Sequence, residues 1–501
     1  MKAFSRKRAS LLVTATLAIA LFVGACGSDP APAETAPPAQ QEQQQNDPPP
    51  PPPAQEDDGE EAPAVEPAAT VGNILHDPVD LGGRTITAFG WWEGVLPFSA
   101  QNYDEPDPAT SDNYFVDRLI FDNAQRVREQ FNFNIEEVVI DYGYLLETLT
   151  TTVMAGDSLG DIGIMSGGWM LPAIMGDLIM PLDSIDLPGS DLLNDGPYTN
   201  ILVEAFGERW SFWDSRPEVN GFTVGINLDI INAIGATNPV DLYNSGQWTW
   251  DAFLEIMRLA TNDTTGDGVI DRFGIAGQPG DLAFYLIGAN DGRMVDDDLN
   301  YALDHPNTLE ALEFLQTIFA ENLWEYDQVA GIDTGDWAGN FFRFQNGNAA
   351  FFPAVTWAMN DGDLPFEFAV VPWPTGPSNT SGNTWMGGWP QGITFPHGSD
   401  WNPAEILMVV EEFMTWAGDD IDLMHEDSYS WARGVFLTEE DVQRQSSAPH
   451  TMAQDIGMSV PQYSWVFGSF VVAFADQTYT VQQLVEMHRG PQQELLDNFF
   501  R

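Results

Sequence analysis

The tryptophans are the residues of this chain whose type most clearly indicates a possible binding function. There are 17 tryptophans, and many stand between the predicted helices and strands rather than inside them. An indole presents a large, flat, apolar surface at little cost in conformational entropy, which suits the apolar C–H face of a pyranose ring. Carboxylates and amides beside it would bond to the sugar hydroxyls. Any single tryptophan could instead pack in the core, so position has to decide between the two interpretations.

A second group of side chains lies in segment 263–271, where oxygen-bearing residues alternate with glycines. The spacing resembles positions 1, 3, 5, 6, 7 and 9 of an EF-hand loop, in which oxygen ligands surround calcium and glycine permits a sharp turn. Gly274 stands where that loop has its bidentate glutamate, so an ordinary Asp/Gly-rich turn is the alternative. A structural calcium ion is the only cofactor we expect. Its candidate ligands are Asp263, Thr265, Asp267, Val269 and Asp271.

Motifs of enzyme chemistry are missing from the sequence. Six scattered histidines form no HxxH or HExxH spacing, no serine stands in a G-x-S-x-G elbow, and no phosphate-binding glycine loop occurs. Carboxylate pairs arise by chance in a chain this acidic, so they identify no glycosidase site. We therefore expect a binding protein without catalytic residues rather than an enzyme.

The N-terminal segment predicts export and lipidation. Four basic residues precede an apolar stretch, Leu11 to Val23, that is too short to be an ordinary membrane-spanning helix. It ends in Val-Gly-Ala-Cys at 23–26, which resembles the bacterial lipobox, and Cys26 is the only cysteine of the chain. A secretory signal with a chance cysteine is the alternative. We expect residues 1–25 to be a signal peptide and Cys26 to carry the lipid that alone holds the protein at the membrane.

Residues 26–70 predict a disordered tether. The segment 27–70 contains 12 prolines, ten acidic residues, no basic residue and a single bulky aliphatic, Val65. Such a composition buries too little apolar surface to offset the entropy of ordering. The run Pro48–Pro53 favours a stiff polyproline II rod, and the whole tether could reach on the order of 130 Å.

The charge of the chain excludes several partners. After residue 25 there are 14 arginines, no lysine and 75 acidic side chains, a formal charge of about −61. This charge opposes binding to nucleic acids, anionic headgroups and anionic ligands. Self-repulsion of this size also predicts a fold that requires salt for stability.

The chain beyond residue 70 is long enough for two lobes and alternates short apolar strands with amphipathic helices. This alternation predicts an α/β fold with largely parallel sheets. Asn307 is predicted to open a helix over 309–319, and Asn402 with Pro403 another that ends near Gly418. The other predicted elements are strands near 84–89, 135–140, 161–165 and 222–226 and helices near 116–131, 145–154 and 250–260.

Five segments carry a family resemblance. They are MAGDSLGDIGIMSGGWMLPAIMGDLIMPLD (154–183), VGINLDIINAIGATNPVDLYNSGQWTWDAF (224–253), FQNGNAAFFPAVTW (344–357), FAVVPWPTGP (368–377) and the helix after ITFPHGSDWNP (393–403). In this order they resemble the family 1 extracellular solute-binding proteins, the group that includes maltose-binding protein. The resemblance covers about residues 78–501.

The resemblance implies a two-lobe α/β fold of the periplasmic-binding-protein type II, whose lobes are joined by hinge crossings and close on a solute. It assigns 78–222 plus 375–428 to lobe 1 and 223–374 plus 429–501 to lobe 2, with crossings near 220–224 and 373–387. It implies a monomer on the extracytoplasmic face of the bacterial cell membrane. This monomer would capture a mono- or oligosaccharide and deliver it to the transmembrane permease subunits of an ABC importer.

The resemblance also selects binding residues by position. Trp357 stands where the family has a ligand-stacking tryptophan. Trp91, Trp92 and Glu93 follow the first predicted strand, and Ser166 and Trp169 follow the strand 161–165. Trp213 and Trp389 lie close to the predicted crossings, as does Asp214.

Three further positions qualify this site. Met165 stands where the family often has an aromatic residue. Trp248 and Trp250 belong to a helix-opening signature and are predicted to pack rather than bind. Some oligosaccharide-binding relatives carry a calcium loop at the position of 263–271, with a carboxylate where this chain has Arg272.

Two other functions stay open. The acidic surface would suit a cationic ligand, so a binding protein for a peptide or a polyamine is the main alternative. A secreted carbohydrate-active enzyme is the other.

Overall fold

The computed structural model describes residues 73–91, 105–108, 113–216, 222–296, 298–325, 344–354, 364–382, 384, 391–436, 438–446 and 479–500. The strands are β1 (Arg84–Gly90), β2 (Phe133–Val139), β3 (Ile162–Ser166), β4 (Ile179–Met180), β5 (Thr199–Ala205), β6 (Glu208–Asp214), β7 (Thr223–Asn227), β8 (Phe273–Ala276), β9 (Trp324–Glu325), β10 (Ala349–Ala354), β11 (Phe368–Val371) and β12 (Gln391–Pro396). The helices are α1 (Tyr114–Phe131), α2 (Leu145–Met154), α3 (Gly167–Met175), α4 (Leu228–Ile234), α5 (Pro239–Asn244), α6 (Trp250–Ala260), α7 (Pro279–Gly288), α8 (Pro306–Ala320), α9 (Pro403–Met414), α10 (Ile421–Val435), α11 (Glu439–Ser446) and α12 (Val481–Phe500).

Two sheets organise these elements. Sheet 1 has the strand order β2-β1-β3-β12-β6-β5, with β4 paired to β12, and sheet 2 has the order β11-β7-β10-β8-β9. In sheet 1, β1 is parallel to β2 and β3, and β12 is antiparallel to both β3 and β6. The carboxyl ends of β1, β2, β3 and β6 therefore share one edge. In sheet 2, the carboxyl ends of β8, β10 and β11 and the start of β7 share one edge in the same way.

The expectation of largely parallel sheets is wrong, because six of the ten strand pairings in the described residues are antiparallel. One cause is the β5–β6 hairpin, which turns through Phe206 and Gly207 with φ of 56° and 79°. Positive φ at both central residues is the type I′ turn that joins antiparallel strands. The other cause lies in the first strand after each crossing. β7 begins sheet 2 after sheet 1, β12 returns to sheet 1 from sheet 2, and both pair antiparallel with their neighbours.

Local signals explain where the helices begin. α6 runs over the predicted residues, and the Thr249 hydroxyl caps it by accepting from the Ala252 amide. Pro403 opens α9 behind the Asn402 cap, but α9 ends at Met414, so the predicted end near Gly418 is wrong. The predicted opening of α8 at Asn307 is also wrong. That helix begins one residue earlier, at Pro306, whose fixed φ suits the first helical position.

Three connections between the two sheets can be followed in the part of the chain that the structure describes. The chain passes from sheet 1 to sheet 2 between β6 and β7 and returns between β11 and β12. The third connection is α10, whose Met424 packs in the core of sheet 1 and whose Ala432 packs against sheet 2. These two packed halves make a two-lobe α/β fold, while the predicted lobe boundaries stay a prediction.

An ion-pair network fixes two of these connections to each other. Arg216, just after β6, donates from Nη2 to Asp214 Oδ2 at 2.7 Å and from Nη1 to Asp427 Oδ2 of α10 at 2.8 Å. Burial lowers the pKa of Arg216, but the two carboxylates outweigh it and hold that pKa above its ordinary value. The guanidinium therefore stays charged, and it links the crossing between β6 and β7 to the crossing formed by α10.

A buried polar network holds residues 73–76 against α9. Glu412, with no exposed surface, accepts from the amides of Leu75 and His76 at 2.7 and 2.8 Å and from Arg126 Nη1 at 2.8 Å. Its neighbour Glu411 is equally buried and bonds to the His76 ring at 2.6 Å. Because these buried carboxylates are fully partnered, the segment where the described chain begins is anchored firmly to lobe 1.

Candidate functional site

Three aromatic rings meet at the carboxyl edge of sheet 1. Trp91 follows β1, Tyr142 follows β2, and Trp169 lies in the first turn of α3 after β3. The ring centroids of Trp91 and Trp169 are 5.2 Å apart, those of Tyr142 and Trp169 are 4.4 Å apart, and those of Trp91 and Tyr142 are 5.8 Å apart. We call this group the aromatic trio. Because Tyr142 is 50% exposed and the two indoles are half-buried, the trio offers an apolar surface to solvent.

Strand pairing and a local turn position these rings. The Ile140 amide donates to the Gly90 carbonyl at 3.0 Å, which holds the end of β2 against the end of β1. The Asp141 carboxylate accepts from the Gly143 amide at 2.9 Å, and this tight turn presents Tyr142. Under the trio, β3 approaches Phe89 so closely that a Cβ on Gly163 would lie 2.1 Å from the Phe89 ring, so only glycine fits there.

Ser166 and Met165 lie beneath the trio rather than beside it. Ser166 is 2% exposed, and the Tyr142 hydroxyl lies 3.4 Å from its Oγ. Met165 is fully buried in a cluster with Phe89, against which Trp91 and Trp169 pack. The methionine therefore packs in the cluster beneath the rings. Ser166 is buried, and the half-exposed Tyr142 lies between it and solvent.

The matching edge of sheet 2 carries a carboxylate and an aromatic stack. Asp281 lies in the first turn of α7, which follows β8, and Tyr285 lies one turn later. Tyr285 stacks on Phe222 at 5.1 Å and on Trp373 at 4.8 Å, the residues that flank the start of β7 and the end of β11. Within the described residues, the buried Trp373 Nε1 has no hydrogen-bond partner, and no hydrogen bond or ion pair offsets the desolvation of the Asp281 carboxyl.

Burial controls the ionisation of this edge. Desolvation raises the pKa of Asp281 to about 6, although a helix N-terminus by itself favours the ionised form. Burial likewise raises the pKa of Tyr285 well above its ordinary value, and the charge of Asp281 adds to the effect. An unpaired carboxyl group with a perturbed pKa at the carboxyl edge of a sheet is a candidate for ligand contact.

The first crossing joins these two edges in the chain. β6 ends at the edge that holds the aromatic trio, and β7 starts at the edge that holds Asp281. Leu171 of α3 packs in the same core cluster as Phe222, Tyr285 and Trp373, so α3 contacts the core of the second lobe. In open α/β sheets, ligands bind outside the carboxyl ends of the strands, between such edges.

The structure brings some of the predicted site residues together. Trp91, Ser166 and Trp169 form one group, whereas Trp213 packs against the core of sheet 1 instead. Trp248 and Trp250 are 3% and 4% exposed, which confirms that they pack in the core. The other predicted contacts lie outside the described residues. They are Trp92, Glu93, Trp357 and Trp389.

The predicted calcium loop is stabilised by its own hydrogen bonds. Asp263 accepts from the amides of Gly266 and Gly268, both at 2.6 Å, and Asp267 from the Val269 amide at 2.9 Å. Asp271 accepts from the amide and hydroxyl of Thr264, both at 2.8 Å. In the part of the chain that the structure describes, no three acidic or histidine side chains converge as a metal site would require. Thr265 and Val269 are also among the predicted ligands, and calcium binding by this loop stays a prediction.

Two site residues escaped the sequence prediction. Tyr142 follows a strand of a parallel pair, and the rule that ligands gather at carboxyl ends of strands could have indicated it. Asp281 follows the segment Gly-Gln-Pro-Gly at 277–280, which joins a strand to a helix N-terminus at the same kind of edge. Neither residue is part of a recognisable motif, and both became visible only through their neighbours in the fold.

Comparison with known proteins identifies the class. The model of the bacterial extracellular solute-binding proteins matches residues 124–420, more than half of the chain. The chain therefore belongs to the bacterial extracellular solute-binding protein family, as the sequence predicted, and this is a family of binding proteins. No curated protein sequence matches the chain significantly. Among the described residues, no helix is long and apolar enough to span a membrane.

Solved structures share the fold at low sequence identity. UgpB from Mycobacterium tuberculosis, in complex with glycerophosphocholine, has a TM-score of 0.56 at 16% identity and covers 83% of this chain and 100% of its own. The maltose/maltodextrin-binding domain MalE from Bdellovibrio bacteriovorus, bound to maltotriose, has a TM-score of 0.54 at 13% identity, with 82% and 100% covered. A solute-binding protein of an ABC transporter from Agrobacterium radiobacter K84, in complex with ribitol, has a TM-score of 0.53 at 16% identity, with 83% and 100% covered. These likenesses confirm the two-lobe periplasmic-binding-protein-like fold.

Proposed function

We propose that this protein is a lipid-anchored receptor of an ABC importer and that it captures a carbohydrate between its two lobes. The observation that carries the proposal is the aromatic trio at the carboxyl edge of sheet 1. Stacked and edge-on rings leave an apolar surface for the C–H face of a sugar, and the Tyr142 hydroxyl beside them can bond to a sugar hydroxyl. On the edge of sheet 2, the Asp281 carboxyl offers hydroxyl groups an acceptor.

The family supports the importer assignment, because its members bind solutes outside the cell. The proposed partners are a small carbohydrate and the transmembrane permease subunits, with the receptor acting as a monomer. The likeness to proteins solved with maltotriose and with ribitol favours a polyhydroxylated solute. Trp357, the family's stacking position, would complete the site from lobe 2, and Trp92, Glu93 and Trp389 are further proposed contacts.

A cationic solute such as a polyamine or a peptide is the second candidate. The same geometry favours it, because aromatic faces attract alkylammonium groups and Asp281 would supply a counter-charge. The overall negative charge of the chain adds a long-range attraction for cations.

One titration series separates the two candidates. Calorimetry with maltotriose, ribitol, spermidine and a short basic peptide would be performed both at 2 M salt and at ~0.15 M salt, at which attraction between charges is less screened. The carbohydrate proposal predicts binding of a sugar or polyol and no binding of the two cations. Binding of spermidine or the peptide alone would replace it with the second candidate.

A pair of Tyr142 variants tests the site itself. Tyr142→Phe keeps the ring and removes only the hydroxyl, whereas Tyr142→Ala also removes the stacking face. We expect Ala to weaken the affinity about 5- to 30-fold beyond Phe, because aromatic stacking and ring burial contribute about 1–2 kcal/mol. Since Tyr142 is half exposed, both variants should fold. Equal affinities for the wild type and Tyr142→Ala would remove the trio from the site.

Lipid anchoring is tested separately at Cys26. We expect Cys26→Ser to leave the protein in the soluble fraction after export, with ligand affinity unchanged. The network around Glu412 fixes residue 73 to lobe 1, so the proposed tether would leave the fold at a defined point. Retention of the variant on membranes after a high-salt wash would contradict the anchor.

A further inference from the structure

The Asp281 carboxyl lies in a recess with aromatic walls. Its side chain keeps partial contact with solvent, yet burial raises its pKa to about 6, and the two observations together indicate a concave surface. The charge of Asp281 acts on Tyr285, one helical turn later on α7. Tyr285 in turn stacks on Phe222 at 5.1 Å and on Trp373 at 4.8 Å. We call these four residues the Asp281 recess.

The backbone holds the carboxyl in this recess through a rigid connection between β8 and α7. Trp324 Nε1 donates to the Gly277 carbonyl at 2.8 Å. Gly277 has φ of 149°, and a Cβ added to it would lie 3.0 Å from the Pro353 ring, so the chain is closely packed where it leaves β8. Because this connection is fixed, Asp281 stays in the recess and cannot regain full hydration by a local rearrangement.

No cation among the described residues offsets the charge of Asp281. Four elements of the surrounding core cluster, α3, β7, β8 and β11, carry no titratable side chain. On α8, which packs against α7, the titratable side chains are Glu310 and Glu313, and both are acids. Arg216, in the neighbouring crossing, is engaged by two carboxylates of its own. Arg293, the next cation after Asp281 in the chain, lies beyond the far end of α7.

The protonation of the free recess is therefore a balance between two opposing effects. The N-terminus of α7 favours the ionised carboxylate, whereas burial favours the neutral acid, and burial outweighs the helix. A solute that brings an O–H or N–H donor replaces the hydration that burial removed. Because a hydrogen bond to a carboxylate is stronger than one to a neutral acid, the solute stabilises the ionised form. Tyr285 stays neutral throughout, since burial raises its pKa well above the ordinary value.

We propose that capture of the solute releases the proton of Asp281, so that this receptor loads at neutral or alkaline pH and unloads in acid. The solute keeps its own hydrogen and donates it to the carboxylate, the carboxyl proton passes to solvent, and no covalent bond of the solute changes. The solute accordingly carries a hydrogen-bond donor and no negative charge at this end. The inference rests on the proposed function, in which the solute contacts Asp281.

The test is calorimetry at pH 5, 6 and 7 in 2 M salt with whichever of maltotriose, ribitol, spermidine and the basic peptide binds. We expect binding to tighten about 5- to 10-fold from pH 5 to pH 7, because about a tenth of the free receptor is ionised at Asp281 at the lower pH and about nine-tenths at the higher. At pH 6, two buffers of different ionisation enthalpy should report release of about half a proton per solute. Binding without proton release, or with proton uptake, would overturn the inference.

Two variants assign the proton to its residue. Asp281→Asn should fold, since it removes a buried charge, and its affinity should not change between pH 5 and pH 7. Asp251→Asn, at the exposed carboxylate in the first turn of α6, is the matched control and should keep the pH dependence of the wild type. A wild-type dependence on pH that persists in Asp281→Asn would overturn the assignment.

A measurement on the free receptor separates this inference from the proposed function. The ¹³C resonance of the Asp281 carboxyl, identified as the one missing from Asp281→Asn, should titrate with a midpoint near pH 6. A midpoint near that of an ordinary aspartate would overturn the inference even where a probe binds. If none of the four probes binds at any pH, the proposed function fails, and the inference fails with it.

Discussion

Asp281 offers the sharpest test of the site, because a carboxyl kept for binding should lower the stability of the folded protein. Its pKa is raised from 3.8 to about 6 by burial, with no cationic partner to offset the desolvation. Between these two values the folded state holds a proton that the unfolded state has lost. The stability of the fold therefore falls as pH rises through this range, and the loss is complete above about pH 7.

The size of the effect follows from the same numbers. A rise from 3.8 to about 6 corresponds to at most about 3 kcal/mol at pH 8, since each pKa unit is worth 1.36 kcal/mol. The side chain retains partial contact with solvent, which brings the expected value to about 1–3 kcal/mol. Asp281→Asn removes the charge at nearly constant shape. We expect the variant to be more stable than the wild type by this amount at pH 8 and by only about a third of it at pH 4.5, where the unfolded carboxyl is mostly ionised but the folded one is still protonated.

The assay is urea unfolding at both pH values in 2 M salt, combined with calorimetry of the bound sugar or polyol. If the carboxylate accepts a hydroxyl of the solute, the amide should weaken binding about 10- to 150-fold, because a hydrogen bond to a charged group is worth about 1.5–3 kcal/mol. We therefore expect Asp281→Asn to unfold at higher urea and to bind the solute more weakly than the wild type. The same change in stability at both pH values, or full affinity in the variant, would refute the reasoning.

A matched control lies in the same lobe. Asp251 occupies the first turn of α6 as Asp281 does that of α7, but its side chain is exposed. Asp251→Asn should gain no stability at either pH in 2 M salt, because the exposed carboxylate has no desolvation to relieve and salt screens its interaction with the helix dipole, and it should leave affinity intact.

Four further predictions concern other parts of the chain. Glu412→Gln should lower the free energy of unfolding in urea by about 3 kcal/mol, because the neutral side chain no longer matches Arg126 and two buried amides. Glu405→Gln, at the half-exposed pair with Arg84, should lower it by under about 1 kcal/mol. Equal losses in the two variants would contradict the role of burial. The urea midpoint should rise between ~0.05 and ~2 M salt as the excess charge is screened, and a flat profile would contradict this. If 263–271 holds calcium, a chelator should lower the melting temperature at fixed salt and Asp267→Ala should abolish the response; equal melting curves would leave the loop as a turn. Trp357→Ala should weaken sugar binding about 30- to 150-fold, with Phe intermediate, and a loss of stability at unchanged affinity would place Trp357 in the core.

The sequence by itself determined the class of fold and the family of this protein. Apolar periodicity located α1, the range predicted for α6 is the observed one, and the Asn402-Pro403 start of α9 follows from capping chemistry. These features depend on residues within a few positions of each other, so local physics is enough to predict them. The packing role of Trp248 and Trp250 was also accessible, because both belong to a helix-opening motif.

Only the tertiary structure decided which side chains meet. Trp91, Tyr142 and Trp169 are separated by dozens of residues, and parallel pairing of β1 with β2 and β3 brings their rings within 6 Å. The mixed direction of the sheets depends on a hairpin and on strands that arrive from the other lobe, neither of which hydrophobic patterning records. The pKa of Asp281 and the contact of Phe206 with Phe500 likewise arise from burial and from neighbours distant in sequence. Local sequence specifies elements, whereas desolvation and long-range contacts, which exist only once the elements have packed, specify the site.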